Sequence, residues 1–227
     1  MKIGLLIIAT GKYIQFINPL QESINKYFMK NHEVTTFVFT DSKDFMSKPG
    51  QKVIFQQHIP WPGSTLYRYN IFKSNEKNIE EMDYLYYCDA DMLFVNDVGD
   101  EILGDLVATQ HPGFYNKPRE LFTYETNPES KAFIPKDKGT KYFIGAFNGG
   151  KTSEYLKLIT KLAHNTSYDT RRGIIAVWHD ESHMNRYFID NEPTLILSPS
   201  YCYPELLNIP FERKLLALDK NHSEIRK

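Results

Sequence analysis

Two aspartates separated by one residue are the first group in this sequence that could carry chemistry. Asp89 and Asp91 follow an apolar run in the segment YLYYCDADMLF. If that run is a strand, residues two apart point the same way, and both carboxylates can face one hard cation. Mn²⁺ or Mg²⁺ bound there would neutralise a diphosphate leaving group. Acidic pairs are common at strand ends, so the pattern alone indicates a metal site only weakly.

The segment VWHDESHMNRYF is the second candidate, because it places His179 and His183 four residues apart. That spacing suits zinc on a helix, but the metalloprotease pattern needs glutamate directly after the first histidine, where this chain has Asp180. Glu181 is displaced from that position by about 100° on a helix. One interpretation is a helix cap with a solvated acidic pair. The alternative is that Glu181 faces the positive charge that develops at an anomeric carbon in glycoside chemistry.

Two further segments could contact a ligand. FIGAFNGG (143–150) contains small residues that allow close backbone approach, although a turn before a helix is the simpler interpretation. Dinucleotide and Walker-type phosphate motifs do not occur. Lys220 and Arg226 in the basic tail could close over a diphosphate, whereas an isolated basic terminus is usually solvated.

These side chains need a framework, and strands alternating with helices predict an α/β sheet with ligands at the carboxyl ends of the strands. The strand candidates are short runs of β-branched and aromatic residues. They are Lys2–Ala9, Val34–Thr40, Val53–Gln57, Tyr84–Cys88 and Leu106–Gln110. The helix candidates are Ile14–Met29, Thr65–Lys77, Thr152–His164 and a helix that Asp180 would cap.

Composition limits the class of protein. The 227 residues suit one domain, and a net charge of −1 provides no basic field, so we expect no nucleic-acid partner. Two cysteines do not make a disulfide framework. No apolar run approaches the roughly 20 residues of a membrane span, and no signal peptide is evident. We therefore expect a soluble protein.

Taken together, the segments resemble glycosyltransferase family 6, the retaining family that includes the blood-group A and B transferases and α-1,3-galactosyltransferase. The resemblance extends over nearly the whole chain, and HPGFY and AVWHDES are its specific signatures. Other matching segments, in order, are FVFTDS, DYLYYCDADM, FTYE, AFIPKDKG, GAFNGG, LSPSY and KNHSEIR. The resemblance implies a glycosyltransferase-A type fold, a Rossmann-like mixed sheet flanked by helices in a single domain. It divides the domain into a nucleotide-sugar half (1–110), an acceptor and catalytic half (111–215) and a mobile tail (216–227).

The resemblance also implies roles for individual residues. Glu181 matches the catalytic carboxylate, and Asp89 and Asp91 match the metal and diphosphate site. The acceptor-contacting positions match His111, Thr123 and Trp178. The positions that contact the donor match Ile8, Ala9, Tyr13, Arg68, Asp89, Ile144, Gly145, Ala146, Asp180, Lys220 and Arg226.

The resemblance implies a UDP-sugar-dependent hexosyltransferase that moves galactose, or N-acetylgalactosamine, from UDP-sugar to a β-galactoside in an oligosaccharide or glycoconjugate, by an α-1,3-type retaining transfer. Ala146 resembles the galactose-preferring form, since glycine there would leave room for an N-acetyl group. Animal members carry an amino-terminal anchor, whereas this chain resembles the short soluble bacterial and viral forms, many of which have lost the acidic metal motif. This resemblance implies a location in the cytoplasm of a bacterial-type host. Pro204 replaces an aspartate of many animal relatives, which leaves the acceptor open. A catalytically silent sugar-binding protein, a UDP-sugar hydrolase and an inverting transferase are the alternatives.

Overall fold

A seven-stranded mixed sheet forms the centre of the protein, which is described here over residues 1–225 from a computed structural model. Its strand order is β3-β2-β1-β4-β7-β6-β8. β7 runs antiparallel to both of its neighbours, whereas the remaining pairs are parallel. The strands are β1 (Lys2–Ile8), β2 (Glu33–Thr40), β3 (Gln51–Phe55), β4 (Tyr84–Cys88), β5 (Met92–Phe94), β6 (Val107–Gln110), β7 (Phe143–Lys151), β8 (Leu195–Leu197), β9 (Tyr203–Pro204) and β10 (Leu215–Ala217).

Helices and a small three-stranded sheet (β5-β10-β9) surround the central sheet. One hydrophobic cluster packs α1 against β1 and β5, and a second packs α3 and α5 against the other side of the sheet. The mixed α/β architecture predicted from the sequence is therefore confirmed. The helices are α1 (Ile17–Tyr27), α2 (Gly63–Leu66), α3 (Arg68–Ser74), α4 (Glu76–Ile79), α5 (Thr152–Arg171), α6 (His179–Asp190) and α7 (His222–Ile225).

The segment 143–150 is a strand, so the interpretation as a turn before a helix is wrong. A Cβ on Gly149 would lie 2.3 Å from the carbonyl oxygen of Leu85, so the absence of a side chain lets β7 and β4 approach closely. The buried Asn148 amide donates to the carbonyl of Gly145 (3.0 Å) and accepts from the hydroxyl of Tyr155 (2.6 Å). The segment therefore forms a strand through its pairing with β4 and β6, although it contains few of the β-branched residues that are typical of strands.

Three predicted helices differ from the prediction in their continuity or in how they begin. The segment 65–77 is divided among α2, α3 and α4. The side chains of Ser74 and Asn75 both donate to the carbonyl of Ile71 and so compete with the helical ladder. Residues 11–16 form a 3₁₀ turn before α1. α6 begins at His179 without a side-chain cap, so Asp180 does not have the predicted capping role.

Within residues 1–225, no helix combines the length and the apolar character that crossing a bilayer requires. The thiols of Cys88 and Cys202 are both buried and free.

Candidate functional site

A continuous cleft opens at the carboxyl ends of β1 and β4. It consists of two cavities that share the walls formed by Trp61, Thr65, Arg68 and Asp89. The first cavity is further lined by Ile8, Thr10, Tyr13, Asp91 and Lys220, among others. The second is further lined by Ile144, Gly145, Ala146, Trp178, His179, Asp180 and Glu181.

Arg68, at the start of α3, joins the two cavities. Its guanidinium lies 3.9 Å above the ring of Tyr87 and is 2.9 Å from the carboxylate of Asp180 and 3.3 Å from that of Asp89. It also donates to the carbonyl oxygen of Gly145 across 2.6 Å. Arginine suits this position because one rigid fork of donors can serve several acceptors at once.

Asp180 is buried beside Arg68, with a residue exposure of 1%. Burial raises the pKa of its carboxyl to about 6, while the neighbouring Arg68 opposes that rise. The interpretation of Asp180 and Glu181 as a solvated acidic pair is therefore wrong for Asp180. Its ion pair with Arg68 directs the carboxylate into the wall of the cleft.

Glu181 lies one residue further along α6, and both of its carboxylate oxygens are held. One accepts from the backbone N–H of Gly145 (2.8 Å) and the other from the hydroxyl of Tyr142 (3.0 Å). Burial raises its pKa to about 7, although both hydrogen bonds favour the anion and limit the rise. A carboxylate with a raised pKa and a fixed position in a cleft is typical of a catalytic group.

Asp89 and Asp91 line the first cavity together, but not because they share a strand face. β4 ends at Cys88, and both aspartates lie in the short connection to β5. The backbone N–H of Asp89 donates to the carbonyl of Ala146 (2.9 Å), and its carboxylate accepts from Tyr87. The two aspartates therefore lie together as predicted, but the connection between β4 and β5 brings them together, and not the periodicity of a strand.

The beginning of the tail closes one side of this cavity. The ammonium of Lys220 contacts the Asp91 carboxylate, and the backbone N–H of Leu218 donates to the Asp91 carbonyl (3.0 Å). Lys12 donates to the carbonyl of Glu224 across 2.8 Å. Residues 215–217 belong to β10, and the mobility predicted for the tail stays a prediction. Arg226 lies outside the described residues.

Three other predicted ligand contacts do not line the described cleft with their side chains. Ala9 is fully buried in the core, and Thr10 lines the cavity in its place. His111 packs its ring against Tyr142 and accepts from the N–H of Gly113 (2.9 Å); burial lowers its pKa to about 4. Thr123 is exposed and donates to the hydroxyl of Tyr142 (3.3 Å), which in turn reaches Glu181.

The two histidines of VWHDESH do not form a zinc site. His183 is buried at 1% exposure, whereas the ring of His179 packs against Trp61 at the mouth of the cleft. Over residues 1–225, no group of three or more metal-binding side chains of the histidine, cysteine or carboxylate type is present.

Sequence reasoning missed several residues of the site, among them Thr10, Trp61, Tyr87 and Tyr142. Trp61 and Tyr87 line cavity walls, whereas Tyr142 contacts Glu181 without belonging to a motif. The chain contains 15 tyrosines, so residue type alone could not distinguish Tyr87 and Tyr142 from core aromatics. Half-exposed Trp61 lies in the segment HIPWPG, whose two prolines are typical of a loop and do not indicate a ligand contact.

Comparison with known proteins matches the whole chain, residues 1–227, to the model of glycosyltransferase family 6. The chain is 39% identical to histo-blood group ABO system transferase 2 of Rattus norvegicus, over 99% of this chain and 71% of that protein. It is 34% identical to globoside alpha-1,3-N-acetylgalactosaminyltransferase 1 of Homo sapiens, over 100% of this chain and 69% of that protein. It is 30% identical to the O-antigen biosynthesis glycosyltransferase WbnI of Escherichia coli, over 97% of this chain and 95% of that protein.

These similarities cover the cleft and both sheets, and the predicted resemblance is confirmed. With the carboxylates, arginine and small-residue strand in place around one cleft, the chain belongs to glycosyltransferase family 6 and is a UDP-sugar-dependent hexosyltransferase.

Proposed function

We propose that the protein transfers galactose, with N-acetylgalactosamine as the second choice, from UDP-sugar to a β-galactoside acceptor, with retention of the anomeric configuration and with the help of a divalent cation. The observation that carries this proposal is the position of Glu181. Its carboxylate is fixed by Gly145 and Tyr142 in a cavity that shares the walls Arg68 and Asp89 with the neighbouring one.

The two cavities fit the two parts of a nucleotide sugar. Ile8 and Tyr13 give the first cavity apolar and aromatic surface suited to a base and ribose. Arg68 lines both cavities and Lys220 lines the first, and these cationic groups would bind a diphosphate there. The sugar would then lie beside Asp180 and Glu181, and the Asp180 carboxylate can accept hydrogen bonds from its hydroxyl groups.

The chemistry of the donor set fits a divalent cation. Two carboxylates with a substrate diphosphate are the oxygen ligands that Mg²⁺ prefers and that Mn²⁺ accepts. Asp89 and Asp91 line one cavity, and an ammonium group, that of Lys220, already contacts Asp91 as a positive partner. The two aspartates would hold the ion, which would supply positive charge to the departing UDP.

The protein's own residues supply the remaining steps. Lys220 and Arg68 stabilise the negative charge of the leaving diphosphate. Glu181 either attacks the anomeric carbon or stabilises the cationic transition state while the acceptor enters from the side that UDP leaves. Both routes need the carboxylate in its anionic form, which its pKa of about 7 makes available to a substantial fraction at neutral pH.

The acceptor side of the cleft is marked by Trp178. Trp178 is 48% exposed beside Glu181, and its indole offers an apolar face on which a galactose ring can stack. Thr123 and His111 approach the same carboxylate through Tyr142. A galactose stacked on Trp178 would bring one of its hydroxyl groups towards the anomeric carbon that Glu181 is proposed to face.

The test measures UDP release with Mn²⁺ from UDP-galactose, UDP-N-acetylgalactosamine and UDP-glucose, with and without lactose or fucosyllactose, and again with EDTA. We expect release that requires the metal, rises with acceptor and is fastest with UDP-galactose. The anomeric proton coupling of the product, read by NMR, should show an α-linkage. A β-linked product would refute retention, and release insensitive to EDTA would refute the metal.

A matched pair of variants ties the activity to the site. Glu181→Gln should lose about 10³-fold or more in kcat, whereas Glu129→Gln, an exposed glutamate, should be unchanged. Release that does not respond to any β-galactoside would favour a UDP-sugar hydrolase. A folded protein without release from any donor would favour the silent sugar-binding alternative.

A further inference from the structure

Two irregular segments carry the side chains on the acceptor side of the cleft. Loop 123–135 begins with Thr123, and linker 174–178 ends with Trp178 immediately before α6. Segments without a helical or strand ladder must fix their backbone groups by other partners. The position of Trp178 relative to Thr123 therefore depends on the contacts between these two segments.

Glu125 bridges them directly. It is buried at 7% exposure, although the segment around it is largely exposed. One carboxylate oxygen accepts from the backbone N–H of Asn127 (2.8 Å) within the loop, and the other accepts from the N–H of Val177 (2.7 Å) in the linker. Val177 is the neighbour of Trp178, so this bridge ends one residue from the exposed indole.

Each of the two segments joined by Glu125 is also held by a hydrogen bond of its backbone close to the bridge. Thr123 lies two residues before Glu125, and the Glu125 carbonyl accepts from the N–H of Ile134 (3.0 Å), which closes the loop on itself. At the other end, the N–H of Trp178 donates to the hydroxyl of Ser182 (3.0 Å), which attaches the linker to the first turn of α6. Glu125 thus connects the closed loop to the turn that carries Glu181.

A second buried carboxylate holds the same segments at a different place. Asp169, near the end of α5, accepts from the hydroxyl of Ser130 (2.6 Å) and the N–H of Lys131 (2.9 Å). Its carbonyl accepts from the N–H of Ile174 (3.0 Å). Asp169 therefore anchors residues 130–131 of the loop and the start of the linker. Of these two carboxylates, only that of Glu125 contacts Val177, the residue beside Trp178.

We infer that Glu125 is a positioning residue for the acceptor, which sets the place of Trp178 relative to Thr123 without touching either substrate. The inference rests on the proposed function, because it assumes that a sugar acceptor binds against Trp178. It requires a carboxylate, since both oxygens accept from backbone N–H groups. A glutamine has one accepting oxygen, so its amide nitrogen would oppose either Asn127 or Val177.

The kinetic test compares Glu125→Gln with Glu129→Gln, an exposed glutamate of the same loop. We expect Glu125→Gln to raise the KM for acceptor by about tenfold, with kcat, donor KM and acceptor-free UDP release changed by less than about twofold. Glu129→Gln should match the wild type throughout. Asp169→Asn should destabilise the fold without this selective change in acceptor KM.

A spectroscopic measurement separates this inference from the proposed function. The chain has two tryptophans, so Trp61→Phe leaves Trp178 as the single indole. In that background, Glu125→Gln should shift the Trp178 emission and increase its quenching by acrylamide, and Glu129→Gln should not. This measurement needs no activity, so a wild type that releases no UDP would refute the proposed function and still leave the positioning role tested.

The outcomes are distinct. An unchanged Trp178 emission together with an unchanged acceptor KM would overturn the inference. So would a parallel loss of kcat and donor affinity, which would mean a general structural role. If Glu125→Gln does not fold, Glu125→Asp takes its place, because it keeps the charge but loses the reach to Val177, and the same two readouts apply.

Discussion

The hydroxyl of Tyr142 donates a hydrogen bond to the carboxylate of Glu181 across 3.0 Å. The same hydroxyl accepts from Thr123 at 3.3 Å, so the phenol links the exposed acceptor-side threonine to the proposed catalytic carboxylate. Hydrogen bonds to an ionised carboxylate favour the anion, and this one opposes the rise in pKa that burial causes.

Removal of this hydroxyl should therefore move the acidic limb of the pH–rate profile. The Glu181 pKa of about 7 is already raised, and Tyr142→Phe deletes a donor to its anion. We expect the limb in kcat/KM to move upward by about one pH unit, with the alkaline plateau much less affected. Tyr124→Phe is the control, because Tyr124 stacks on Tyr142 but donates to the carbonyl of Lys141. An unmoved limb in Tyr142→Phe would mean that another group sets it.

Glu181 should also reduce stability at alkaline pH. Because its folded pKa lies above the ordinary value of 4.5, the folded state binds the proton more tightly, and stability falls as pH rises from about 4.5 through about 7. Glu181→Gln removes this dependence, while its amide oxygen can still accept from Gly145 and its amide nitrogen can donate to Tyr142. We expect the inactive variant to be more stable than the wild type by about 1–3 kcal/mol at pH 8, and the difference to vanish near pH 4. Denaturant melts at both pH values check this, and a destabilised variant at pH 8 would contradict it.

Arg68 should be essential for the fold as well as for the donor. Arg68→Met leaves the buried Asp180 carboxylate without its ion pair, which costs about 3–5 kcal/mol when the group stays charged. Loss of the arginine removes what holds the Asp180 pKa down, so in the variant this pKa should lie above about 6 and protonation should relieve part of the cost at lower pH. Denaturant melts should therefore show a larger loss at pH 8 than at pH 5. As a control, Lys73→Met removes an exposed lysine paired with Glu76 and should change stability by less than about 0.5 kcal/mol. If Arg68→Met lost the same stability at pH 5 and at pH 8, the Asp180 explanation would be wrong.

The sequence predicted those features that local patterns encode. The strand Tyr84–Cys88 has the bounds expected from its apolar run, and Asp89 and Asp91 follow it as expected. What it could not predict were contacts between distant segments. The strand character of 143–150 comes from pairing with β4 and β6, and the hydrogen bonds on Glu181 come from Gly145 and Tyr142, 36 and 39 residues away.

Burial explains the remaining errors. Asp180 has the residue type of a helix cap, yet tertiary packing places it against Arg68, which is 112 positions earlier (180 − 68) in the chain. Ala9 matches a donor-contacting position but its side chain belongs to the core, because β1 ends at Ile8 and the chain turns so that Thr10 faces the cavity. Such differences depend on the direction of one side chain, which local pattern does not determine.

Donor choice should depend on Ala146. This residue lines the second cavity, and its carbonyl accepts from the N–H of Asp89, so the position of its methyl group is fixed by the β4–β7 pair. Ala146→Gly removes one methyl group and should raise the ratio of kcat/KM for UDP-N-acetylgalactosamine over UDP-galactose by about tenfold. Ala90→Gly is the matched control, because Ala90 lines the first cavity and should leave that ratio unchanged. Equal ratios in wild type and Ala146→Gly would place donor discrimination elsewhere, and the neighbouring Ile144 would be the next residue to vary.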